Sequence, residues 1–288
     1  MGNRIQGTTV ITGLIGYPIK DSKSPHIHNS AFQKLGLDYV YLALETKEGL
    51  INEALNAMKL FGARGFNITM PHKEAVIDYL DEVTEEVKII GSVNTVVNEN
   101  GKLIGYNTDG KGFVKSLKLD GVNFEGKKVV IVGAGGAAKS IAIQLAYDGA
   151  TEVVVMNRTV SKAKDIADRI NKNISTCRSR ALEFDECVLK EELKDAVLLV
   201  DCTPIGTHDT VEQSIVHNSD IFHKDLFVAN IVYSPIKTKF LLMAEEVGCR
   251  TSNGIGMLLY QGELAFKLWT GEDMPIEYIK EVLFDKED

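Results

Sequence analysis

The sequence is poor in proline, in tryptophan and in positive charge. Its 6 prolines among 288 residues exclude a proline-rich linker, and no apolar run approaches the ~18 residues that span a membrane. Asp and Glu number 40 against 32 Lys and Arg, so the net charge of −8 makes nucleic acid and anionic membranes poor partners. Any anionic ligand must therefore be held by local groups.

Cysteine and histidine are scarce and unsuitably spaced for metal binding. The 4 cysteines form neither a C-x-x-C pair nor a zinc knuckle, and buried thiols in a reducing compartment predict a cytoplasmic protein. The 6 histidines lack zinc spacing, and His72 is expected at the surface, so no metal site is predicted. The uncharged stretch 5–19 lacks a small-residue cleavage site and is interpreted as a buried first strand, not a signal peptide.

Glycine is abundant, at 25 positions, in a chain long enough for about two domains of ~150 residues each. Strands alternate with helices, which predicts an α/β fold. Before residue 110 the pattern includes a hairpin at Asn100-Gly101 and is typical of a mixed α/β unit. From Lys127 onward, a buried strand, a helix and a second buried strand form a βαβ unit.

A glycine-rich loop, Gly133-Ala134-Gly135-Gly136-Ala137-Ala138, lies between that strand and its helix. Gly133 permits a tight turn, Gly135 lets the backbone approach a pyrophosphate, and Ala138 lets the helix pack on the strand. The helix N-terminus adds free N–H groups and partial positive charge. The loop predicts a doubly wound, Rossmann-type dinucleotide-binding domain; a plain glycine-rich turn is the alternative.

The end of the second strand indicates which dinucleotide binds. Asp or Glu there usually accepts the ribose 2′-OH of NAD. This chain has Asn157, Arg158 and Thr159, followed by Lys162, so a guanidinium can pair with a 2′-phosphate. NADP is the predicted cofactor and NAD remains possible. A merely solvated helix start is the other interpretation.

Two polar segments, Asn67–Lys73 and Asn107–Gly110, follow predicted strands of the first half. Strand ends face the ligand crevice of an α/β sheet, so these segments are candidates for the reacting groups. A Lys near an Asp can pass a proton to or from a hydroxyl. The structural alternatives are an N-cap at Asp109, a turn former at Asn67 and a surface lysine at Lys73.

Together these segments resemble the shikimate dehydrogenase family, including quinate/shikimate dehydrogenases, over essentially the whole chain. The resemblance rests on Ser22–Pro25, Asn67–Lys73, Gly91–Thr95, Tyr106–Gly110, Gly133–Ala138, Asn157–Thr159, Tyr233 and Gly254–Gln261.

The resemblance implies a reversible NADP-dependent reduction of 3-dehydroshikimate to shikimate, in chorismate and aromatic amino acid biosynthesis. It makes Lys73 the acid/base residue and Asp109 its catalytic partner. The residues implied to bind substrate are Ser22, Ser24, Asn67, Thr69, Asn94, Tyr233 and Gln261. The residues implied to bind the cofactor are Gly133, Ala134, Gly135, Gly136, Ala137, Asn157, Arg158, Thr159, Lys162, Ile231 and Gly254.

The expected organisation is a mixed α/β catalytic domain (1–109), a Rossmann-type domain (110–254) and C-terminal helices (255–288) that return Gln261 to the first domain. The loop Thr203–His208, Phe66 and Ser92 depart from the family pattern, which leaves quinate acceptance and cofactor strictness open. The alternatives are a quinate/shikimate dehydrogenase using NAD or both cofactors, and a non-catalytic nucleotide and metabolite sensor. A homodimer is left open.

Overall fold

The computed structural model describes residues 5–283 and contains two compact units. The N-terminal unit consists of the residues up to Thr108 together with those from Gln261 onward. The central unit is the continuous segment Asp109–Tyr260. The chain therefore leaves the N-terminal unit after Thr108 and re-enters it within a single helix.

The N-terminal unit alternates strands and helices as far as a β-hairpin. Its elements in chain order are β1 (Val10–Gly16), α1 (Ser24–Leu35), β2 (Tyr39–Glu45), α2 (Ile51–Leu60), β3 (Gly65–Ile68), β4 (Glu82–Val83), α3 (Glu85–Ile90), β5 (Thr95–Glu99) and β6 (Lys102–Tyr106). Six strands form one mixed sheet in the order β2-β1-β3-β5-β6-β4. Strands β1, β2 and β3 are parallel, whereas β5 is antiparallel to both neighbours.

This sheet positions β3 centrally, between β1 and β5. All four residues of β3 are buried, and Phe66 and Ile68 pack in a core with Ile15 and Val96. The residues directly after β3 therefore emerge from a rigid core at the carboxyl edge of the parallel strands, where ligands of α/β sheets bind.

The central unit follows a regular β-α alternation. Its elements are α4 (Asp109–Leu119), β7 (Lys128–Val132), α5 (Gly136–Tyr147), β8 (Glu152–Asn157), α6 (Val160–Asn173), β9 (Arg178–Glu183), α7 (Glu186–Leu193), β10 (Ala196–Asp201), β11 (Phe227–Asn230), α8 (Lys239–Glu246) and β12 (Arg250–Ser252). Helix α9 (Ile255–Thr270) begins in this unit and ends in the N-terminal one, which α10 (Ile276–Leu283) completes within the described residues.

The central sheet has the order β12-β11-β10-β7-β8-β9, and every pair in it is parallel. Chain order runs outward from β7 in one direction through β8 and β9, and in the other through β10, β11 and β12. This is the doubly wound Rossmann arrangement, and its switch point lies between β7 and β10. The predicted α/β fold class, with a mixed N-terminal unit and a Rossmann-type unit, is confirmed.

Two local expectations were wrong. Ser161 is a favoured N-cap residue that predicts a helix start there, but α6 begins at Val160 with Thr159 as its N-cap residue, two residues earlier. Proline is favoured in the first turn of a helix, so Pro71 predicts a helix start there, but none begins at it: the His72 N–H donates to the Thr69 carbonyl in a turn, and a short 3-10 helix follows over Ala75–Tyr79.

Candidate active site

Asn67 occupies the carboxyl half of β3 and lies at the centre of a buried hydrogen-bond network in the N-terminal unit. Its Oδ1 accepts a hydrogen bond of 2.7 Å from the Tyr41 hydroxyl. Its Nδ2 donates to the Asn94 carbonyl and to Thr95 Oγ1, both at 3.1 Å. Each polar atom of the Asn67 side chain is thus partnered by a different strand or loop, which fixes its orientation.

Asn94 connects this network to the end of the hairpin and to helix α9. Its Oδ1 accepts from the Thr108 N–H at 2.8 Å, and its Nδ2 donates to Thr108 Oγ1 at 2.9 Å and to Gln261 Oε1 at 3.4 Å. Asn94 and Thr108 are buried, and Gln261 is half-buried. The N-terminal unit therefore brings Asn67, Asn94 and Gln261 together, although Gln261 is more than 160 residues away in sequence.

Ser22 and Ser24 lie side by side where the chain enters α1. The Ser24 N–H donates to Ser22 Oγ at 3.3 Å, and a side-chain hydrogen bond joins Ser24 to Tyr41. Burial raises the pKa of Tyr41 well above its ordinary value, with the Ser24 hydrogen bond opposing the shift, so its hydroxyl keeps its proton. Tyr41 thus links the serine pair to Asn67.

Lys73 is half-buried in the segment after β3, and its carbonyl accepts a hydrogen bond of 2.8 Å from the Val93 N–H. Its neighbour His72 is buried, not at the surface as expected, because its Nε2 hydrogen-bonds the Thr46 carbonyl at 2.8 Å. Thr69 is half-buried beside them. Asp109 is a buried first residue of α4 and belongs to the central unit.

The glycine loop of the central unit follows β7 at the switch point of the sheet. Gly133 has φ of +109°, and a Cβ on it would lie 3.1 Å from the backbone of Cys202 after β10, so only glycine fits there. A Cβ on Gly135 would meet nothing within 4 Å, which leaves open space at the residue that precedes α5. The free N–H groups of a 12-residue helix begin at this space.

The first residues after β8 carry the basic groups. Arg158, Thr159 and Lys162 are exposed, and Asn157 Nδ2 donates to the Thr159 carbonyl at 3.0 Å. The first carboxylate of α6, Asp165, is paired with Lys139 at 3.2 Å and with Arg169 at 3.0 Å. The glycine-rich loop and these basic residues therefore fit a dinucleotide that carries an additional phosphate on its ribose.

The remaining predicted cofactor residues lie beyond β11. Ile231 follows the last strand residue and is half-buried, as is Tyr233. Gly254 is buried, its N–H donates to the Val232 carbonyl at 2.8 Å, and a Cβ on it would collide with the Ile231 carbonyl. Within the central unit, Ile231 and Gly254 are thus brought into contact.

Sequence reasoning missed the residues that connect the predicted ones, namely Tyr41, Thr95 and Thr108. Thr108 carried a signal, since it lies inside the polar segment Asn107–Gly110. Tyr41 carried none, because an aromatic residue within a strand is ordinary core.

The thiols are less buried than predicted. Cys177 and Cys249 are buried, but Cys187 is exposed and Cys202 is partly exposed. Among residues 5–283, no group of three or more His, Cys, Asp and Glu side chains could hold a metal ion. None of the helices in the described part of the chain has the length and apolar character that a membrane crossing requires.

Three family models match consecutive parts of the chain. They describe a shikimate dehydrogenase substrate binding domain (residues 14–96), shikimate/quinate 5-dehydrogenase (residues 115–225) and a shikimate 5'-dehydrogenase C-terminal domain (residues 254–284). The shikimate dehydrogenase (NADP(+)) of Alkaliphilus metalliredigens is 56% identical over 98% of this chain and 99% of that protein.

Solved structures are similar over the same length. The shikimate 5-dehydrogenase of Listeria monocytogenes, in complex with shikimate and NAD, superposes with a TM-score of 0.94 at 40% identity, covering 99% of both chains. The quinate dehydrogenase of Corynebacterium glutamicum, in complex with NAD, superposes with a TM-score of 0.87 at 30% identity over 96% of this chain and 99% of that one.

Proposed function

The chain belongs to the shikimate dehydrogenase family, and we propose that it catalyses the reversible NADP-dependent reduction of 3-dehydroshikimate to shikimate, a step of chorismate and aromatic amino acid biosynthesis. Membership of the family makes it an oxidoreductase that acts on a CH–OH group. The observation that carries the assignment of substrate is the buried network of Asn67, Asn94 and Gln261, since many oxidoreductases share a Rossmann unit but few present amides to ring hydroxyls.

The substrate is held, in this proposal, by groups matched to a hydroxylated ring acid. The hydroxyls of Ser22 and Ser24 bind its carboxylate. The ring hydroxyls are bound by the side chains of Asn67, Thr69, Asn94, Asp109 and Gln261, and Tyr233 lies beside the ring. The hydrogen bonds of the buried amides support this, because they fix the positions of the Asn67 and Asn94 side chains.

Lys73 moves the proton. In the direction of reduction its ammonium donates a proton to the developing alkoxide at the carbonyl oxygen, and in the direction of oxidation its neutral amine accepts the hydroxyl proton. We assign Asp109 the role of catalytic partner of Lys73. Oxidation should therefore become faster as the pH rises, since only the deprotonated amine can accept.

The cofactor is held by backbone and basic groups of the central unit. When bound, the reduced cofactor NADPH supplies the hydride, and the oxidised cofactor NADP⁺ accepts it in the reverse direction. Gly133, Ala134, Gly135, Gly136 and Ala137 bind the pyrophosphate with the N-terminus of α5. Asn157, Arg158, Thr159 and Lys162 bind the adenosine ribose and its 2′-phosphate, and Ile231 and Gly254 contact the nicotinamide end. The exposed cationic groups after β8 support NADP over NAD.

Function is organised by unit. We assign residues 1–109 and 255–288 to the catalytic domain and residues 110–254 to the dinucleotide-binding domain, whereas the compact units divide after Thr108 and after Tyr260. The partners are small molecules only, which a net charge of −8 supports, and the four free thiols support a cytoplasmic location. Light scattering of the purified protein separates a monomer from a homodimer.

A spectrophotometric panel of shikimate and quinate against NAD and NADP tests the reaction, the substrate and the cofactor together. We expect the highest kcat/KM with shikimate and NADP. Absence of turnover with every pair, while NADP still binds, would overturn the enzymatic proposal and favour a sensor.

The second candidate is a quinate/shikimate dehydrogenase that uses NAD or both cofactors. The similarity to the Corynebacterium glutamicum quinate dehydrogenase, whose structure contains NAD, is the observation that favours it. In the same panel this candidate predicts comparable kcat/KM values for quinate and shikimate, and little loss when NAD replaces NADP.

A further inference from the structure

A carboxyl and an amide face each other inside the central sheet, at the carboxyl ends of two neighbouring strands. Asp201 ends β10, Asn230 ends β11, and the two are paired in register. Both side chains are 0% exposed, and Asn230 Nδ2 donates to Asp201 Oδ2 at 3.1 Å. Asp201 is also in register with Val132, the residue before the glycine loop.

A carboxyl group is unfavourable at this buried position, because an ionised carboxylate is most stable in water. Burial raises the pKa of Asp201 to about 7, and hydrogen bonds from Thr203 only partly oppose the shift. An apolar side chain would fill a buried strand end without this desolvation penalty. The presence of Asp201 is therefore explained by the groups that it holds.

Those groups belong to the segments that follow both strands. The second carboxyl oxygen of Asp201, Oδ1, accepts from the Thr203 N–H at 2.8 Å, and its carbonyl accepts from the Ile231 N–H at 3.1 Å. Asn230 Oδ1 accepts from the Val232 N–H at 2.5 Å, and the Val232 carbonyl in turn accepts from the Gly254 N–H at 2.8 Å. The side-chain pair thus holds the chain after β10 at Thr203 and the chain after β11 at Val232, and the Val232 backbone in turn holds Gly254 before α9.

We propose that the Asp201–Asn230 pair is a positioning device for cofactor binding, which fixes the backbone of Ile231 and Gly254 where the nicotinamide end of the dinucleotide binds. This inference rests on the proposed function, because that function places the nicotinamide at Ile231 and Gly254. Neither side chain is a reacting group; both act through the backbone that they hold.

Hydrogen-bond polarity gives the proposal a specific test. Asn230→Asp places two buried carboxyls face to face, and Asp201→Asn turns one acceptor into a donor, so each single variant loses or reverses a contact. In the double variant Asp201→Asn/Asn230→Asp the amide at position 201 donates to the carboxyl at position 230. The N–H groups of Thr203 and Val232 both keep an acceptor, so all three hydrogen bonds can be made.

The experiment compares the wild type, both single variants, the double variant and the control Ser179→Ala in the full-length protein. Ser179 lies in the edge strand β9, and the control removes a buried hydrogen bond of 2.8 Å to the Val153 carbonyl in the same unit. The measurements are the Kd for NADP⁺ by titration calorimetry, the KM values for NADP⁺ and shikimate, kcat and Tm. Calorimetry reports on the pair without requiring turnover.

We expect Asn230→Asp to raise the Kd and KM for NADP⁺ by about tenfold, the effect of breaking a buried charged hydrogen bond, with the KM for shikimate little changed. The double variant should restore both values to near the wild type, and Ser179→Ala should lower Tm alone. Unchanged NADP⁺ binding in Asn230→Asp, or a double variant as defective as the single one, would overturn the proposal.

If the double variant does not fold, Asp201→Asn decides the question, since a weaker NADP⁺ affinity at an unaltered KM for shikimate supports positioning and an unaltered affinity refutes it. A wild-type protein that binds NADP⁺ without turnover refutes the proposed reaction. In that case the Kd values for NADP⁺ of the variants still test whether the Asp201–Asn230 pair positions the cofactor site.

Discussion

The imidazole ring of His28 lies flat against the phenol ring of Tyr41, with ring centroids 4.4 Å apart and planes 9° apart. Both rings are buried, and within residues 5–283 neither nitrogen of His28 has a hydrogen-bond partner. Burial lowers the pKa of His28 to about 3, so the ring is neutral at physiological pH. A neutral aromatic surface therefore sets the plane of Tyr41, whose hydroxyl connects Ser24 with Asn67.

Tyr41→Phe tests this connection. The substitution keeps the stacked ring but removes the donor to Asn67, so the KM for shikimate should rise about fivefold, which corresponds to about 1 kcal/mol for one hydrogen bond. The KM for NADP should stay the same. Tyr39→Phe is the matched control, because the Tyr39 hydroxyl donates a long hydrogen bond of 3.5 Å to the Trp269 carbonyl and is not joined to Asn67. Equal KM values for shikimate in both variants would contradict the linking role.

Acid stability should depend on His28. Its pKa is lowered from 6.5 to about 3 in the folded protein, so the unfolded chain binds the extra proton first as the pH falls. The stability contributed by the neutral ring is full above about pH 6.5 and is lost toward about pH 3, at up to about 1.4 kcal/mol per pH unit.

Urea denaturation at several pH values measures this slope. His28→Leu removes the ionisable ring and should lose less stability on acidification than the wild type. His26→Leu, at an exposed position of the same helix, should keep the wild-type slope. If the free energy of unfolding depends on pH in the same way for the wild type and His28→Leu, His28 is not the source of the acid sensitivity.

Lys73→Ala should lower kcat by roughly 10²- to 10⁴-fold, the usual contribution of an acid/base group, while the KM for shikimate changes much less. Steady-state kinetics in both directions measure the effect. Lys88→Ala is the control, since Lys88 forms an exposed ion pair with Glu85. A near-normal kcat for Lys73→Ala would remove Lys73 from the proton transfer.

Arg158→Ala should raise the KM for NADP roughly 10- to 100-fold, because charge-assisted hydrogen bonds to a phosphate are lost, and should leave the KM for NAD nearly unchanged. Lys172→Ala removes an exposed cation from the last turn of α6, the helix that follows Arg158, and should affect neither value. An equal rise for both cofactors in Arg158→Ala would point to a general structural defect instead of 2′-phosphate binding.

The sequence pattern predicts those parts of the fold that depend on residues close together in the chain. The glycine loop, β7 and β8 were readable because a buried parallel strand is a continuous apolar run and a tight turn demands glycine. The sequence pattern does not predict β9, since Arg178–Glu183 mixes charged and small residues at a sheet edge. It does not predict β12 either, because that strand has only three residues.

Contacts between distant segments were beyond the reach of the sequence pattern. Whether His72 is buried depends on the Thr46 carbonyl, 26 residues earlier, so a polar turn was misread as surface. The role of Tyr41 arises because parallel pairing of β1 with both β2 and β3 brings it near Asn67. The candidate residues were named from short motifs, whereas the network joining them exists only after the sheet has formed.

The insertion of the central unit into the N-terminal one has a consequence for synthesis on the ribosome. Trp269, which donates from Nε1 to the Val96 carbonyl at 3.1 Å, and Gln261, which accepts from Asn94, leave the ribosome only after all of Asp109–Tyr260. Because a chain emerges from its N-terminus, the unit that is begun first is completed last, and the nascent protein has a finished central unit before it has a finished N-terminal unit.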